Sequence, residues 1–288
     1  MSHALAGTTP KTAAAGEFTV FIQPSRSAFQ LELSSLADYW ELLYFLVWRD
    51  VKVRYKQTAI GTGWAILQPL MTMVLFTAVF SGIANIPSEG VPYPLFAYTA
   101  LLPWSYFSQA LGRSGTSLIN NASLITKVYF PRLIIPLSAV VSPLFDLAIA
   151  FVMLIALMVW FGVVPGWGVL ALPLFIVLCL LTTLAVTLWL AAMCVRYRDV
   201  AMIIPFLIQV WMYASPVAYP VSLVPKKWQL IYAMNPMTGV IEGFRWALLG
   251  TPLPDPRVIA TSTLAVFVGL YGGLVYFKKM EAAFADVI

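Results

Sequence analysis

The chain has 288 residues, 61% of them hydrophobic and 10% charged, with a mean hydropathy of +0.86. Soluble domains carry roughly a quarter charged residues, which excludes an ordinary soluble fold, and continuous apolar runs of about twenty residues exclude the short alternating strands of an outer-membrane barrel. The net charge of +5 does not point to nucleic acid, because membrane proteins gather Lys and Arg on cytoplasmic loops for topological reasons.

Residues 1–35 are rich in Ala, Thr, Ser and Gly and read as a cytoplasmic tail, disordered at its start. They hold Lys11, Glu17, Arg26 and Glu32 and no long apolar core, so no cleavable signal peptide is expected. Residues 36–60 read as an amphipathic interface helix. Trp40, Tyr44, Val47, Val51 and Tyr55 recur at spacings of three and four, with Asp38, Glu41, Arg49, Lys52 and Lys56 on the other side. Ser35 with Asp38 forms an N-cap pair for it, and Gly61 with Gly63 loosens the chain before it turns into the bilayer.

Residues 61–288 form the membrane domain. Hydropathy gives six spans, approximately 64–86, 93–111, 134–161, 169–194, 200–221 and 258–277. Residues 112–132 link the second and third spans and carry a short helix, ASLITKVYF, stopped by Pro131. Residues 222–257 link the fifth and sixth and are more apolar than a solvated loop. They read as two short helices, 228–234 and 237–249, with Asn235 as N-cap and Pro236 in the first turn, a re-entrant or surface-lying pair outside the membrane. The expected fold is therefore all-α: six transmembrane helices, an N-terminal interface helix and an external gate pair. With the N-terminus inside, thirteen of the 17 basic residues are cytoplasmic and only Lys226, Lys227, Arg245 and Arg257 are outside, which places both termini in the cytoplasm.

Residues for chemistry are scarce. His3 is the only histidine, which excludes His-based relays, triads and metal sites, and Cys179 and Cys194 read as reduced packing residues. No Gly-Lys pair occurs, so there is no phosphate-binding loop, and ATP-driven transport needs another chain. Asp146 is the one clear carboxylate inside a span, either packing glue near Pro143 or part of a transport path. Glu242 and Arg245 are i, i+3 partners, a local ion pair or a charged lip of the gate. Tyr98, Trp104, Tyr106 and Phe107 in the second span, with Trp211, Tyr213 and Tyr219 in the fifth, are either interface-belt aromatics or a lining for sugar rings.

Four blocks carry a resemblance: RDVKVRYKQTAIGTGWAILQPL from Arg49 to Leu70, KVYFPRLIIPL from Lys127 to Leu137, RYRDV from Arg196 to Val200, and NPMTGVIEGFRWALLG from Asn235 to Gly250. They resemble the permease subunits of ABC type-2 polysaccharide exporters, the transmembrane halves of systems exporting O-antigen, capsule-like or teichoic-acid chains. The resemblance covers nearly all of the chain after Leu36. It implies a homodimer in the bacterial inner membrane with one ATPase on each half, ATP and Mg bound by that partner, and no cofactor or catalytic residue in this chain. It places Arg49, Asp50, Lys52, Arg54, Lys127, Arg132, Arg196, Arg198 and Asp199 at ATPase-coupling contacts, and Asn235, Pro236, Glu242 and Arg245 at an external gate. Its cargo is a polysaccharide on an undecaprenyl-diphosphate lipid, whose diphosphate Arg49, Lys52, Arg54 and Lys56 are equally suited to meet. Two other readings remain: a type-2 exporter of a small lipid or drug, distinguished by its gene neighbours, and an intramembrane enzyme acting on a polyprenyl lipid, which would need clustered acids or His at the membrane face.

Overall fold

The computed structural model describes residues 38–56, 61 and 63–287, and among them every regular element is helical. The tail at residues 1–35, including Ser35, lies outside the described residues. The described residues make one compact unit.

Helix α1, Trp40–Tyr55, buries Val51 and packs Leu46, with the partly buried Leu42 and Leu43, in a cluster with Leu118, Ile134, Ile135 and Phe277. The expected apolar stripe divides, since Trp40 and Tyr44 are each 61% exposed. The sequence carries a second stripe, Tyr39, Leu42, Leu43 and Leu46, at the same helical spacing, and that one packs on the protein. Trp40, Tyr44, Phe45 and Trp48 are left as an exposed aromatic face. Gly61, at φ +58°, lies between α1 and the first span.

Helix α2, Gly63–Phe76, contains Pro69 and continues as a π-helical turn, Thr77–Ile83. Helix α3, Tyr93–Asn120, packs against α2 and against the later helices at residues 134–141, 144–161, 172–196, 199–213 and 236–249, which enclose it. It runs nine residues beyond the expected end at Leu111. The segment RSGTSLIN looks loop-forming by propensity, but Gly115 lets Ile204 and Cys194 approach, and Ser114 and Ser117 bond back to carbonyls three residues earlier. Tertiary packing outweighs local preference here. The short helix α4 is confined to Ala122–Lys127.

The third expected span is two helices, α5 (Ile134–Val141) and α6 (Leu144–Phe161), divided at Ser142–Pro143. A 3₁₀ turn, Trp167–Ala171, leads into α7, Leu172–Arg196. Helix α8, Asp199–Tyr213, stops eight residues before the expected Val221, and residues 214–220 are irregular. Helices α9 (Lys226–Ala233) and α10 (Pro236–Leu249) match the expected short pair. Helix α11, Pro256–Val287, packs along α7, α9 and α10.

Among the described residues, four stretches are long and apolar enough to cross a membrane: Gly63–Ile83, Ile134–Phe161, Trp167–Arg196 and Pro256–Glu281. Helix α8, with 15 residues, spans only about 22 Å of the roughly 30 Å of hydrocarbon. Helix α3 has the length, 28 residues, but its Ser, Thr, Tyr and Gln positions make it less apolar, and its neighbours enclose it. Large exposed apolar side chains such as Met71, Val152, Ile155, Met202, Phe206 and Phe267 give the outer surface the character of one that meets lipid or protein.

Candidate functional site

Two polar constellations lie at opposite ends of α3. Phe96 belongs to one and Arg113 to the other, seventeen residues apart, which is about 26 Å along a helix.

The first surrounds α10. Pro236 sits in the first turn, and Asn235 caps it by accepting from the Met237 amide at 3.1 Å. The same Asn235 oxygen accepts from Trp211 Nε1 at 2.9 Å, while its amide nitrogen donates to the Ala214 carbonyl at 3.0 Å and Ser215 Oγ at 2.8 Å. One side chain thus joins α8, the irregular segment and α10. Arg245 completes the junction. It is fully buried, donates to Glu242 Oε1 at 3.1 Å, to the Val217 carbonyl at 2.8 Å and to the Tyr219 carbonyl at 3.4 Å, and lies 3.5 Å from the Phe96 ring centroid. Tyr93 adds a hydrogen bond to the Ala218 carbonyl at 2.7 Å. The carbonyls of Ala214, Val217, Ala218 and Tyr219 in the irregular backbone are therefore met by side-chain donors. Burial pushes the Glu242 carboxyl above its ordinary range, with Arg245 opposing. The pair is buried and networked, unlike an exposed i, i+3 helical ion pair, which contributes only about a few tenths of a kcal/mol.

The second constellation lies between α1, α3, α5 and α6. Asp146, 4% exposed near the start of α6, pairs with Arg54 and accepts from the Tyr55 hydroxyl. Arg54 also donates to Gln109 Oε1 at 3.2 Å. Burial pushes Arg54 down to about 10, with Asp50 opposing. Arg49 forks onto Asp50 at 2.9 Å and reaches Asn121 Oδ1 at 3.0 Å. Arg113 approaches Ser142 Oγ at 3.4 Å. Arg49, Asp50, Arg54, Arg113 and Asn121 border a cleft of about 480 Å³. Three guanidiniums and one carboxylate line it, so it is suited to an anion.

The other expected site residues are spread across the fold. Tyr98, Trp104, Tyr106 and Phe107 are core residues of the protomer, with the Tyr98 and Tyr106 hydroxyls on the carbonyls of Ala150 and Val140. Phe107 meets the Trp211 ring edge-on at 5.1 Å. Tyr213 is exposed, and Tyr219 bonds the Tyr213 carbonyl and the Tyr232 hydroxyl. Lys52 is exposed above Trp48. Lys127, Arg196, Arg198 and Asp199 are exposed at helix ends, whereas Arg132 is tied to Glu281 of α11. Sequence reasoning did not single out Gln109, Arg113 or Asn121. A cation within the polar, small-residue end of α3 was the available signal.

A helical membrane domain with a buried polar junction at one end and a cationic cleft at the other is the architecture of a transport subunit. The chain belongs to the ABC-2 type transporter family, whose signature matches residues 41–249. It is 31% identical over 257 residues to the O-antigen export system permease protein RfbA of Myxococcus xanthus, covering 88% of this chain and 97% of that one. A Klebsiella pneumoniae protein of the same name is 26% identical over 258 residues, again covering 88% and 97%. The polysialic acid transport protein KpsM of Escherichia coli is 24% identical over 264 residues, covering 90% and 98%.

Proposed function

We propose that this chain is the permease subunit of an ABC exporter that moves a polysaccharide on an undecaprenyl-diphosphate lipid across the bacterial inner membrane. The observation that carries the reading is the likeness to O-antigen export permeases along 88% of the chain. ATP hydrolysis lies in a separate ATPase subunit, which binds the ATP and Mg.

In this reading the six crossings are α2, α3, α5 with α6, α7, α8 with the segment after it, and α11, with both termini cytoplasmic. Helix α3 crosses inside a sleeve of other helices, so it needs no apolar face toward lipid. Two copies enclose the path, with Tyr213 on its border, Trp211, Tyr219 and Asp146 near it, and Tyr98, Trp104, Tyr106 and Phe107 as the packed layer behind. Helices α9 and α10 with Asn235, Pro236, Glu242 and Arg245 form the external gate. The ATPase docks on α4, where Val128 and Tyr129 are 50% and 72% exposed beside Lys127. Arg196, Arg198 and Asp199 form a second contact, while Arg49, Asp50, Lys52, Arg54 and Arg132 transmit movement from that face.

Deletion of the gene tests the function. Lipid-linked polymer is expected to accumulate inside the cell, and a normal surface coat in the deletion strain overturns the reading.

A further inference from the structure

We propose that Asn121 and Glu281 are positioning residues that seat the short helix α4 between α1 and α11, so that a displacement of α4 is delivered to the first and last helices together. This rests on the permease reading, in which the ATPase docks on α4.

Asn121 is the joint between α3 and α4, and its polar groups are engaged on every side. Its backbone N–H donates to the Leu118 carbonyl at 3.2 Å, and its carbonyl accepts from the Leu124 and Ile125 amides at 3.0 and 3.1 Å. The side-chain nitrogen donates to the Ser117 carbonyl at 2.8 Å, while the side-chain oxygen accepts from Arg49 Nη1 at 3.0 Å. A carbonyl only accepts and a guanidinium only donates, so the Asn121 amide has a single orientation here. Arg49 is itself preset, because Nε and Nη2 both donate to Asp50 Oδ1, at 3.1 and 2.9 Å, which leaves Nη1 for Asn121. The fork on a neighbouring acid thus aims a side chain of α1 at the start of α4.

The chain leaving α4 is held by α11. Arg132 donates from its guanidinium to the Glu281 carbonyl and from its backbone N–H to Glu281 Oε1 at 3.4 Å. Lys278, one turn earlier on α11, pairs with the other carboxylate oxygen of Glu281 at 3.6 Å and steadies it. Between these two fastenings, Ile125 and Phe130 are buried in one cluster with Leu46 of α1 and Phe277 and Phe284 of α11, whereas Lys127, Val128 and Tyr129 are exposed. Helix α4 has only 6 residues, too few to persist on its own. Its position is therefore set by α1 and α11, and a push on its exposed side passes into both.

The test uses the native strain carrying a tagged full-length chain. It reads surface polymer per copy of the chain, the ATPase retained on it and the ATP turnover of the purified complex. Asn121→Ala and Glu281→Ala are each expected to lower surface polymer per copy roughly tenfold, since one charge-assisted hydrogen bond shifts a seating equilibrium by about that factor. Retained ATPase and its turnover should change by less than about twofold, because the exposed docking side is untouched. Asn121→Asp keeps the acceptor for Arg49 and Glu281→Gln keeps the acceptor for Arg132, so each should recover part of the export. A merely structural role lowers the copy number and leaves export per copy unchanged, which overturns the proposal, as does loss of the ATPase from the variants.

A second measurement does not depend on those variants folding. Spin labels on Ser123→Cys in α4 and Lys279→Cys in α11, both exposed positions, report the separation of the two helices, and the native Cys179 and Cys194 are buried. With and without a non-hydrolysable ATP analogue on the complex, the separation should agree within about 2 Å, the size of a small helix shift. A larger change means that α4 slides against α11 and overturns the seat. A tagged parent chain that retains no ATPase overturns the permease reading instead.

Discussion

Arg245 donates from Nη2 to the carbonyl of Val217 at 2.8 Å, joining α10 to backbone that has left the helical path of α8. The guanidinium has no exposed surface of its own, and it also reaches the Tyr219 carbonyl two residues further on. Helix α10 is therefore fastened to the segment that follows α8 and to α3.

Replacing Arg245 tests how much this fastening contributes. Arg245→Met leaves Glu242 buried without its cation and the Val217 and Tyr219 carbonyls without these donors. Breaking one side of a buried pair costs about 3–5 kcal/mol, so the thermal midpoint in detergent should fall steeply. The double variant Glu242→Leu with Arg245→Met should recover part of the loss, because no isolated charge remains. A double variant no more stable than the single one contradicts the buried-pair account.

Asn235 gives a second, independent handle on the same junction. Asn235→Ala removes the N-cap of α10, worth about 1 kcal/mol, and also the links to Ala214, Ser215 and Trp211. The expected loss exceeds that of a simple cap, roughly 2 kcal/mol or more once buried groups lose partners. Trp211 loses the acceptor for its indole N–H, so its fluorescence should change in the folded variant. Thermal melts together with emission spectra check both.

The reach of sequence reasoning follows from where each signal resides. Asn235-Pro236 carries local chemistry, a cap and a proline that prefers the first helical turn, so the start of α10 was legible. The blocks at Arg49 and Asn235 were legible for the same reason. The end of α3 was not, because Gly115 and Ser117 suit a helix there only when α7 and α8 pack on them. Helix α8 was read too long because the stretch from Val217 to Val221 is apolar, and hydropathy cannot distinguish a helix from irregular backbone whose carbonyls are bonded by a distant arginine. The cationic cleft escaped for a related reason: Arg113 lies 59 residues from Arg54, and only folding brings the two to one wall.

Gly243 tests the close packing of α10 on α7. A Cβ there would run into the ring of Phe175, a rigid neighbour, whereas at Gly115 it would chiefly meet the flexible tip of Ile204. Gly243→Ala should destabilise by about 1–3 kcal/mol as overpacking does, and Gly115→Ala by less. Phe175→Leu in the Gly243→Ala background should restore part of the stability by clearing the ring. Thermal midpoints of the parent, the two single variants at Gly243 and Phe175 and their double measure the coupling, and simple additivity argues against contact between these positions.

Asp146 is the residue whose role the fold narrows most. It is paired with Arg54 and accepts from Tyr55, and so ties α1 to α6. Asp146→Asn keeps the size and one acceptor but removes the charge, leaving Arg54 buried with Gln109 as its remaining described partner. A structural tie predicts lower stability, roughly 3–5 kcal/mol for a broken buried pair, with partial recovery in Asp146→Asn with Arg54→Gln. A path residue that moves protons predicts the reverse: normal accumulation with export abolished in both variants. Measuring membrane abundance and surface polymer together decides between them, and export scaling with abundance is the result the Arg54 pairing leads us to expect.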